Sequence, residues 1–153
     1  MRIMECFFAG YKNTDATTIT EAMIDDLEQM LEPLFIFAII WSIGATTTPE
    51  GRLKFSDNMR TLMGKDNEHR MPNEGTVYDY CYDKSNKCWV RWDETVTEYT
   101  VDPKAQYAEI IVPTFDSIRM KYVKKLLITN GKHVLAPGPT GTGKTINFVD
   151  MLN

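Results

Sequence analysis

The sequence has no excess of basic residues, and this limits its partners. Lys and Arg number 17 against 21 Asp and Glu, which gives a formal net charge of −4. Nucleic acids and anionic lipid surfaces attract clusters of Lys and Arg, so a mildly acidic chain lacks the charge that these partners favour. We therefore expect neither a nucleic acid nor a membrane as a partner.

Cysteine and histidine are also scarce. The three cysteines, Cys6, Cys81 and Cys88, form no Cys-x-x-Cys pair, and only two histidines are present. This fits neither a structural zinc site nor the disulfide framework of a small secreted protein. We expect free thiols, with a chance disulfide between Cys81 and Cys88 left open. His69 has no second ligand nearby, which favours a solvated position over metal binding or catalysis.

No apolar run in the sequence is long enough to cross a bilayer. The most apolar stretch, residues 34–43, is about ten residues long, whereas a transmembrane helix needs roughly 20. It is apolar on every side, which is typical of a buried core helix. The N-terminus lacks the sustained apolar region of a signal peptide, because Glu5 interrupts it.

Two helices are predicted in the first half of the chain. Thr18 and Glu21 have the spacing of a capping box, and apolar residues follow at helical intervals. Pro33 is expected to kink or restart this helix. A second helix is predicted over residues 52–63, and Gly64 should end it.

A β-hairpin is predicted next. Residues 76–82 and 88–92 are rich in strand-forming side chains and flank a turn of about five residues. Tyr78, Tyr80 and Tyr82 would share one strand face. Such an aromatic stripe can stack nucleic-acid bases. In an acidic chain, however, cross-strand packing is the favoured interpretation.

The last third predicts a helix followed by a short strand. Thr114 is a good N-cap residue and Asn130-Gly131 is a helix stop. Residues 132–136 are then expected to form a strand. The polar side of the helix is assigned to three lysines: Lys121, Lys124 and Lys125.

The strand leads into a pattern that carries recognisable chemistry. Gly138-Pro-Thr-Gly-Thr-Gly-Lys144-Thr145 fits the Gly-x-x-x-x-Gly-Lys-[Ser/Thr] signature of a P-loop. Glycine lets consecutive backbone N–H groups turn around phosphate oxygens, and the helix N-terminus adds its positive end. Lys144 should reach the β- and γ-phosphates of ATP, and Thr145 should offer its hydroxyl to Mg²⁺. The predicted ATP- or ADP-binding residues are Gly138, Pro139, Thr140, Gly141, Thr142, Gly143, Lys144 and Thr145.

A P-loop ATPase needs more than this loop. It requires an acidic residue at the end of a second strand and often an arginine supplied in trans. These elements lie many tens of residues beyond a P-loop, and the sequence ends eight residues after Thr145. We expect a fragment or truncated product of a larger protein, which is not catalytic on its own.

A series of motifs resembles the dynein heavy chain family, in the same order along the chain. Trp41-Ser-Ile-Gly44 resembles the Trp-x-x-Gly that ends an apolar helix, and Gly51-Arg-Leu-Lys-Phe55 resembles the next helix start. Gly75-Thr-Val-Tyr-Asp-Tyr80 resembles the family's Gly-Thr-Val-Phe-Asp-Tyr, and Trp92 its hairpin tryptophan. Val112-Pro-Thr-Phe-Asp-Ser-Ile-Arg119 resembles the segment ahead of the third AAA+ module.

The resemblance covers residues 20–153 and is closer to axonemal dyneins, especially inner-arm types, than to cytoplasmic dynein. Two residues depart from the family pattern. Ser117 stands where threonine is usual, and Pro137 stands where the family tends to have an aliphatic residue or glycine. Proline has no N–H, so any ladder hydrogen bond at that position is lost.

The resemblance implies an α/β fold with an incomplete P-loop AAA+ module, comprising its first strand, the P-loop and the start of a helix. A helical lid and a β-hairpin would precede it. The implied segments are a lid or connector at 1–75, a hairpin extension at 76–106 and the module start at 107–153. The adenine would rest near Ile111, Val112, Pro113 and Thr114.

The resemblance also implies a role in a minus-end-directed microtubule motor of cilia or flagella, in the cytoplasm and cytoskeleton. Partners would be neighbouring AAA+ modules of the same heavy chain, with intermediate chains, light chains and microtubules reached through the parent. The third module of the family binds nucleotide and regulates the motor. One alternative stays open, a structural ring connector with a vestigial P-loop. The motif series before the P-loop argues against an unrelated P-loop enzyme such as a small kinase or helicase piece.

Overall fold

A computed structural model describes residues 2–11, 14–64, 69–96, 100, 106 and 110–152. The chain divides into two compact units, Met1–Arg91 and Trp92–Asn153, and each is treated separately below. The sequence also predicts a polar surface loop at residues 65–75 and a short extended segment at residues 107–112. Residues 65–68 and 107–109 of these segments lie outside the described residues.

In the first unit, the described residues form three α-helices: α1 at Arg2–Phe7, α2 at Glu21–Ser42 and α3 at Pro49–Met63. The N-cap of α2 is Thr20, whose side chain accepts a hydrogen bond from the Met23 N–H, so the capping box predicted from Thr18 is wrong. Thr18 instead belongs to a 3-10 turn, and its hydroxyl donates to the Asp15 carbonyl. Two threonines two positions apart offer the same capping chemistry, and local sequence does not choose between them.

Pro33 does not restart α2, which is a single helix from Glu21 to Ser42. Proline removes one backbone hydrogen bond, but this loss is offset where the flanking turns are buried. Pro33 is itself buried, as are the Leu34 and Phe37 side chains that follow it. Tertiary packing therefore overrides the local break signal.

The hydrophobic core of the first unit lies along the second half of α2. Leu34, Phe37 and Ile40 are each 1 % exposed, as expected for a buried core helix, whereas Phe35 remains partly exposed. By length and composition the segment Glu21–Thr46 could cross a membrane, but half of its most apolar window is buried inside the structure. Core helices of soluble proteins can have the same length and apolar composition.

Helix α3 begins three residues before the predicted start, because Pro49 occupies its first turn and Thr48 caps it by accepting from the Gly51 N–H. It ends where predicted, since Gly64 takes a φ of 72° that favours glycine.

The predicted hairpin is present, with β1 at Tyr80–Asp83 and β2 at Cys88–Arg91 in antiparallel register. Its first strand is shorter than predicted, because residues Val77–Asp79 form a 3-10 turn closed by a Thr76–Asp79 capping box. Tyr78 therefore does not share a strand face with the two strand tyrosines. The side chains of Tyr78, Tyr80 and Tyr82 are all buried. Their burial fits packing inside the unit and not stacking on nucleic-acid bases.

No disulfide joins the three cysteines, as predicted. Cys81 pairs with Val90 across the hairpin and Cys88 with Asp83, so the two cysteines are diagonal neighbours and not a cross-strand pair. The open alternative of a disulfide is not realised.

The second unit contains α4 at Phe115–Thr129 and α5 at Lys144–Leu152. Helix α4 starts at the predicted cap, Thr114, and stops at Asn130 and Gly131 as predicted. The prediction of a strand at residues 132–136 is wrong. In the part of the chain that the structure describes, this segment pairs with no strand. A strand exists only through its hydrogen-bonded neighbours, and Leu135 here is 88 % exposed.

Candidate functional site

The P-loop turns directly into helix α5. Residues 138–143 are exposed, and α5 begins at Lys144, so the loop lies at the helix N-terminus as the signature requires. Gly141 and Gly143 adopt φ values of 82° and 72°. Other residues rarely take this left-handed conformation, which explains the glycine at both positions.

The Lys144 ammonium lies inside the turn of the loop. It donates to the Gly138 carbonyl at 2.8 Å, to the Pro139 carbonyl, and to the Thr142 hydroxyl at 3.2 Å. The Thr142 hydroxyl donates in turn to the Pro139 carbonyl at 2.9 Å. A Cβ added at Gly138 would lie 3.5 Å from Thr142 Oγ1 and 3.6 Å from Lys144 Cδ, which is ordinary van der Waals contact, so these contacts do not require glycine at this position. Four of the predicted site residues are thus joined by hydrogen bonds.

Thr145 is exposed in the first turn of α5, beside Lys144. Mg²⁺ bound with nucleotides keeps several waters and uses few protein ligands besides phosphate oxygens. Within the described ranges, no group of three His, Cys, Asp or Glu side chains is arranged to hold a metal by itself. The donor set therefore fits a metal carried by a nucleotide better than a separate metal site.

The segment proposed to contact adenine, Ile111 to Thr114, precedes α4. Val112 is 61 % exposed, and Thr114 forms a reciprocal capping box with Ser117 at 2.8 Å and 3.2 Å. Serine supplies the same hydroxyl as threonine, so Ser117 keeps the function of the family residue. Asp116 pairs with Arg119 one turn later. The motif Val112–Arg119 is therefore a helix start.

The structure does not join this segment to the P-loop. Among the described residues, no hydrogen bond links 111–114 to 138–145. Thr114 caps α4 ten residues before Lys124, whose ammonium contacts α5, and ten residues span about 15 Å along the helix. The role of Ile111–Thr114 stays a prediction.

Helix α4 holds α5 through Lys124, which was predicted to lie on the polar face. Lys124 is instead 9 % exposed, and its ammonium donates to the Asn147 carbonyl at 2.8 Å and lies 4.7 Å from the Phe148 ring centre. Desolvation by burial lowers the pKa of Lys124. A lysine can enter an apolar contact with its stem and still satisfy its charge on a carbonyl and a ring. Lys121 adds an ion pair with Asp150 at 3.2 Å.

Sequence reasoning missed Asn147, whose side-chain amide donates to the Gly143 carbonyl at 2.9 Å. The available signal was its position, four residues after the last glycine of the loop, where a helical side chain can bond back to the i−4 carbonyl.

Three of the other motifs of the resemblance meet in the first unit, around the Tyr78 side chain. Its hydroxyl donates to the Gly44 carbonyl at 2.7 Å. Its ring lies 6.2 Å from Trp41 and 6.0 Å from Phe55, and the Arg52 guanidinium lies over it at 5.4 Å. Residues from three separate motifs thus form one cluster.

Comparison with protein families agrees with this architecture. Residues 1–94 match the model described as dynein heavy chain AAA lid domain. Residues 99–153 match the model described as P-loop containing dynein motor region. The chain belongs to the dynein heavy chain family.

Curated relatives extend the match along the chain. Dynein axonemal heavy chain 1 of Homo sapiens is 34% identical over 99% of this chain, and dynein axonemal heavy chain 12 of Mus musculus is 40% identical over 77%. Dynein axonemal heavy chain 2 of Mus musculus is 32% identical over 86%. The chain spans about 4% of the length of the first two relatives and 3% of the third.

These comparisons confirm the predicted resemblance to axonemal dynein heavy chains. They also confirm the fold class, a helical lid and small antiparallel hairpin followed by part of a P-loop module. A P-loop dynein motor region implies nucleotide binding, and axonemal relatives imply the cytoskeleton of the cilium or flagellum. The names of these relatives do not specify an inner-arm type, which stays a prediction.

Proposed function

We propose that this segment binds ATP or ADP with Mg²⁺ at the loop 138–145, as a regulatory nucleotide site of a ciliary dynein heavy chain. The observation that supports this most is the Lys144 ammonium, which lies inside a glycine turn at a helix N-terminus. Cation, turn and helix end together favour an anionic phosphate chain at this position.

The loop residues would divide the work of binding. Backbone N–H groups of the glycine turn would donate to phosphate oxygens. Lys144 would exchange its carbonyl partners at Gly138 and Pro139 for the β- and γ-phosphates. A hydrogen bond from the ammonium to a charged phosphate oxygen is stronger than one to a neutral carbonyl. Thr145 would coordinate Mg²⁺, and the Ile111–Thr114 segment would contact the adenine. Mg²⁺ would supply charge neutralisation along the phosphates.

In the parent heavy chain this site would act by regulation. The segments 1–75, 76–106 and 107–153 would correspond to a lid, a hairpin extension and the start of the third AAA+ module. A bound nucleotide can bias the neighbouring modules only through different affinities for their two arrangements. The parent would be a minus-end-directed microtubule motor that works with intermediate and light chains.

Nucleotide titration of the 153-residue chain tests the binding proposal. Lys144→Ala should raise the Kd for MgATP by about 10- to 150-fold, because a hydrogen bond to a charged group contributes about 1.5–3 kcal/mol. Lys125→Ala is the matched control, since Lys125 is an exposed lysine of α4 outside the loop. An unmodified chain that does not bind MgATP, or a Kd that Lys144→Ala leaves unchanged, would contradict binding at this loop and favour a ring connector with a vestigial P-loop.

A further inference from the structure

Asn147 makes two hydrogen bonds to one carbonyl of the P-loop. Its backbone N–H donates to the Gly143 oxygen at 3.0 Å, which is the first helical bond of α5. Its side-chain Nδ2 donates to the same oxygen at 2.9 Å. Only the NH₂ end of an asparagine side chain can bond to a carbonyl, so the amide orientation is determined. The Gly143 oxygen is therefore fixed from two directions.

Fixing this oxygen also fixes a donor on the opposite side. The Gly143–Lys144 peptide is trans, and in a trans peptide the C=O and the next N–H point in opposite directions. With the Gly143 oxygen held toward α5, the Lys144 N–H points out of the helix N-terminus. The loop that surrounds the Lys144 ammonium lies on that side.

Asn147 is anchored from a second helix at its other end. Its backbone carbonyl accepts from the buried Lys124 ammonium at 2.8 Å, and Lys124 also lies over the neighbouring Phe148 ring. Helix α4 therefore holds the turn of α5 from which the Asn147 amide reaches Gly143. Gly143 has a φ of 72°, and glycine has more backbone freedom than other residues, so an added restraint on its carbonyl matters.

We propose that Asn147 is a positioning residue of the phosphate-binding loop, whose side-chain amide orients the Lys144 N–H toward the phosphates of the bound nucleotide. This inference rests on the proposed function, namely nucleotide binding at 138–145. Asn147 itself does not touch the ligand. It acts through the Gly143–Lys144 peptide, and Lys124 keeps it in register with α4.

Two substitutions of the same shape separate this role from packing. Asn147→Thr keeps a donor that can bond to the i−4 carbonyl in a helix, and Asn147→Val has the same outline without it. With MgADP as the probe, Asn147→Val should raise the Kd by about three- to tenfold, the worth of one neutral hydrogen bond. Asn147→Thr should stay within about twofold of the unmodified chain.

The Lys144 backbone amide gives a readout that a packing defect would leave unchanged. In ¹H–¹⁵N spectra, its resonance should move on MgADP addition in the unmodified and Thr forms and move less in the Val form. Melting curves of the Thr and Val forms check that both fold equally. If Val and Thr bind MgADP alike, or the Lys144 amide responds alike in both, the positioning role is refuted while nucleotide binding stands. An unmodified chain that does not bind MgADP refutes the proposed function and this inference with it.

Discussion

Gly44 lies at the centre of the Tyr78 cluster, and we predict that Gly44→Ala strongly destabilises the first unit. A Cβ added there would be 2.5 Å from Phe55 Cε1, 2.7 Å from Tyr78 Oη and 2.9 Å from Phe55 Cζ. Carbon atoms pack at about 3.5–4.0 Å. The tyrosine ring cannot move away freely, because its hydroxyl is bonded to the Gly44 carbonyl at 2.7 Å.

The expected loss follows from these contacts. Overpacking a dense core costs about 1–3 kcal/mol, and disturbing the hydroxyl bond adds about 1 kcal/mol. The unit Met1–Arg91 is in the size range where 1 kcal/mol changes Tm by about 4–8 °C. Gly44→Ala should therefore lower the Tm of this unit by at least about 8 °C.

Thermal unfolding followed by circular dichroism and tryptophan fluorescence measures this change. Gly10→Ala is the matched control, because a Cβ there meets nothing within 4 Å, and its Tm should change little. Phe55→Leu removes the ring atoms that clash, so Gly44→Ala should be less harmful in that background. The steric reasoning is refuted if Gly44→Ala and Gly10→Ala have the same Tm. It is also refuted if Gly44→Ala lowers the Tm as much in the Phe55→Leu background as in the unmodified chain.

Three further predictions concern the loop and the hairpin turn. In the parent motor, Lys144→Ala should slow microtubule gliding without abolishing basal ATP hydrolysis; gliding and ATPase assays that both match the unmodified motor would contradict this. The 153-residue chain alone should release phosphate from ATP at the background rate. A rate above background that is lost in Lys144→Ala would contradict this prediction. Asp83 has a pKa below its usual 3.8, because the Asn86 side chain and the Ser85 N–H donate to its carboxylate. The ionised Asp83 carboxylate therefore stabilises the folded state above about pH 3.8, and this stabilisation is lost as the pH falls through the lower pKa of the folded state. Asp83→Asn should reduce the loss of unfolding free energy at acid pH, and an unchanged pH dependence would refute this prediction.

Elements with complete local signals could be predicted from the sequence. Helix α4 has a cap at Thr114 and a stop at Gly131, and both lie where predicted. The P-loop glycines need no partner elements to take their conformation, so the turn also follows from the signature. The signature predicts phosphates as the partners of Lys144, and its contacts with the loop carbonyls were not predicted.

Features that depend on distant neighbours could not be predicted in the same way. Lys124 looks like a surface lysine in a helical pattern, and only its contact with the Asn147 carbonyl explains its burial. Residues 132–136 have strand composition, but pairing depends on another strand. Pro33 carries a strong local break signal, and the burial of Pro33 and of the turn that follows it outweighs this signal.

The different exposure of the three cysteines provides a natural site for attaching a dye to the hairpin. Cys88 is exposed at the start of β2, whereas Cys6 and Cys81 are buried. Since thiol reagents need access to the sulfur, a maleimide dye should attach at Cys88 first under native conditions. A fluorophore there would report on the hairpin turn without any engineered residue, and its anisotropy could be followed while nucleotide is added.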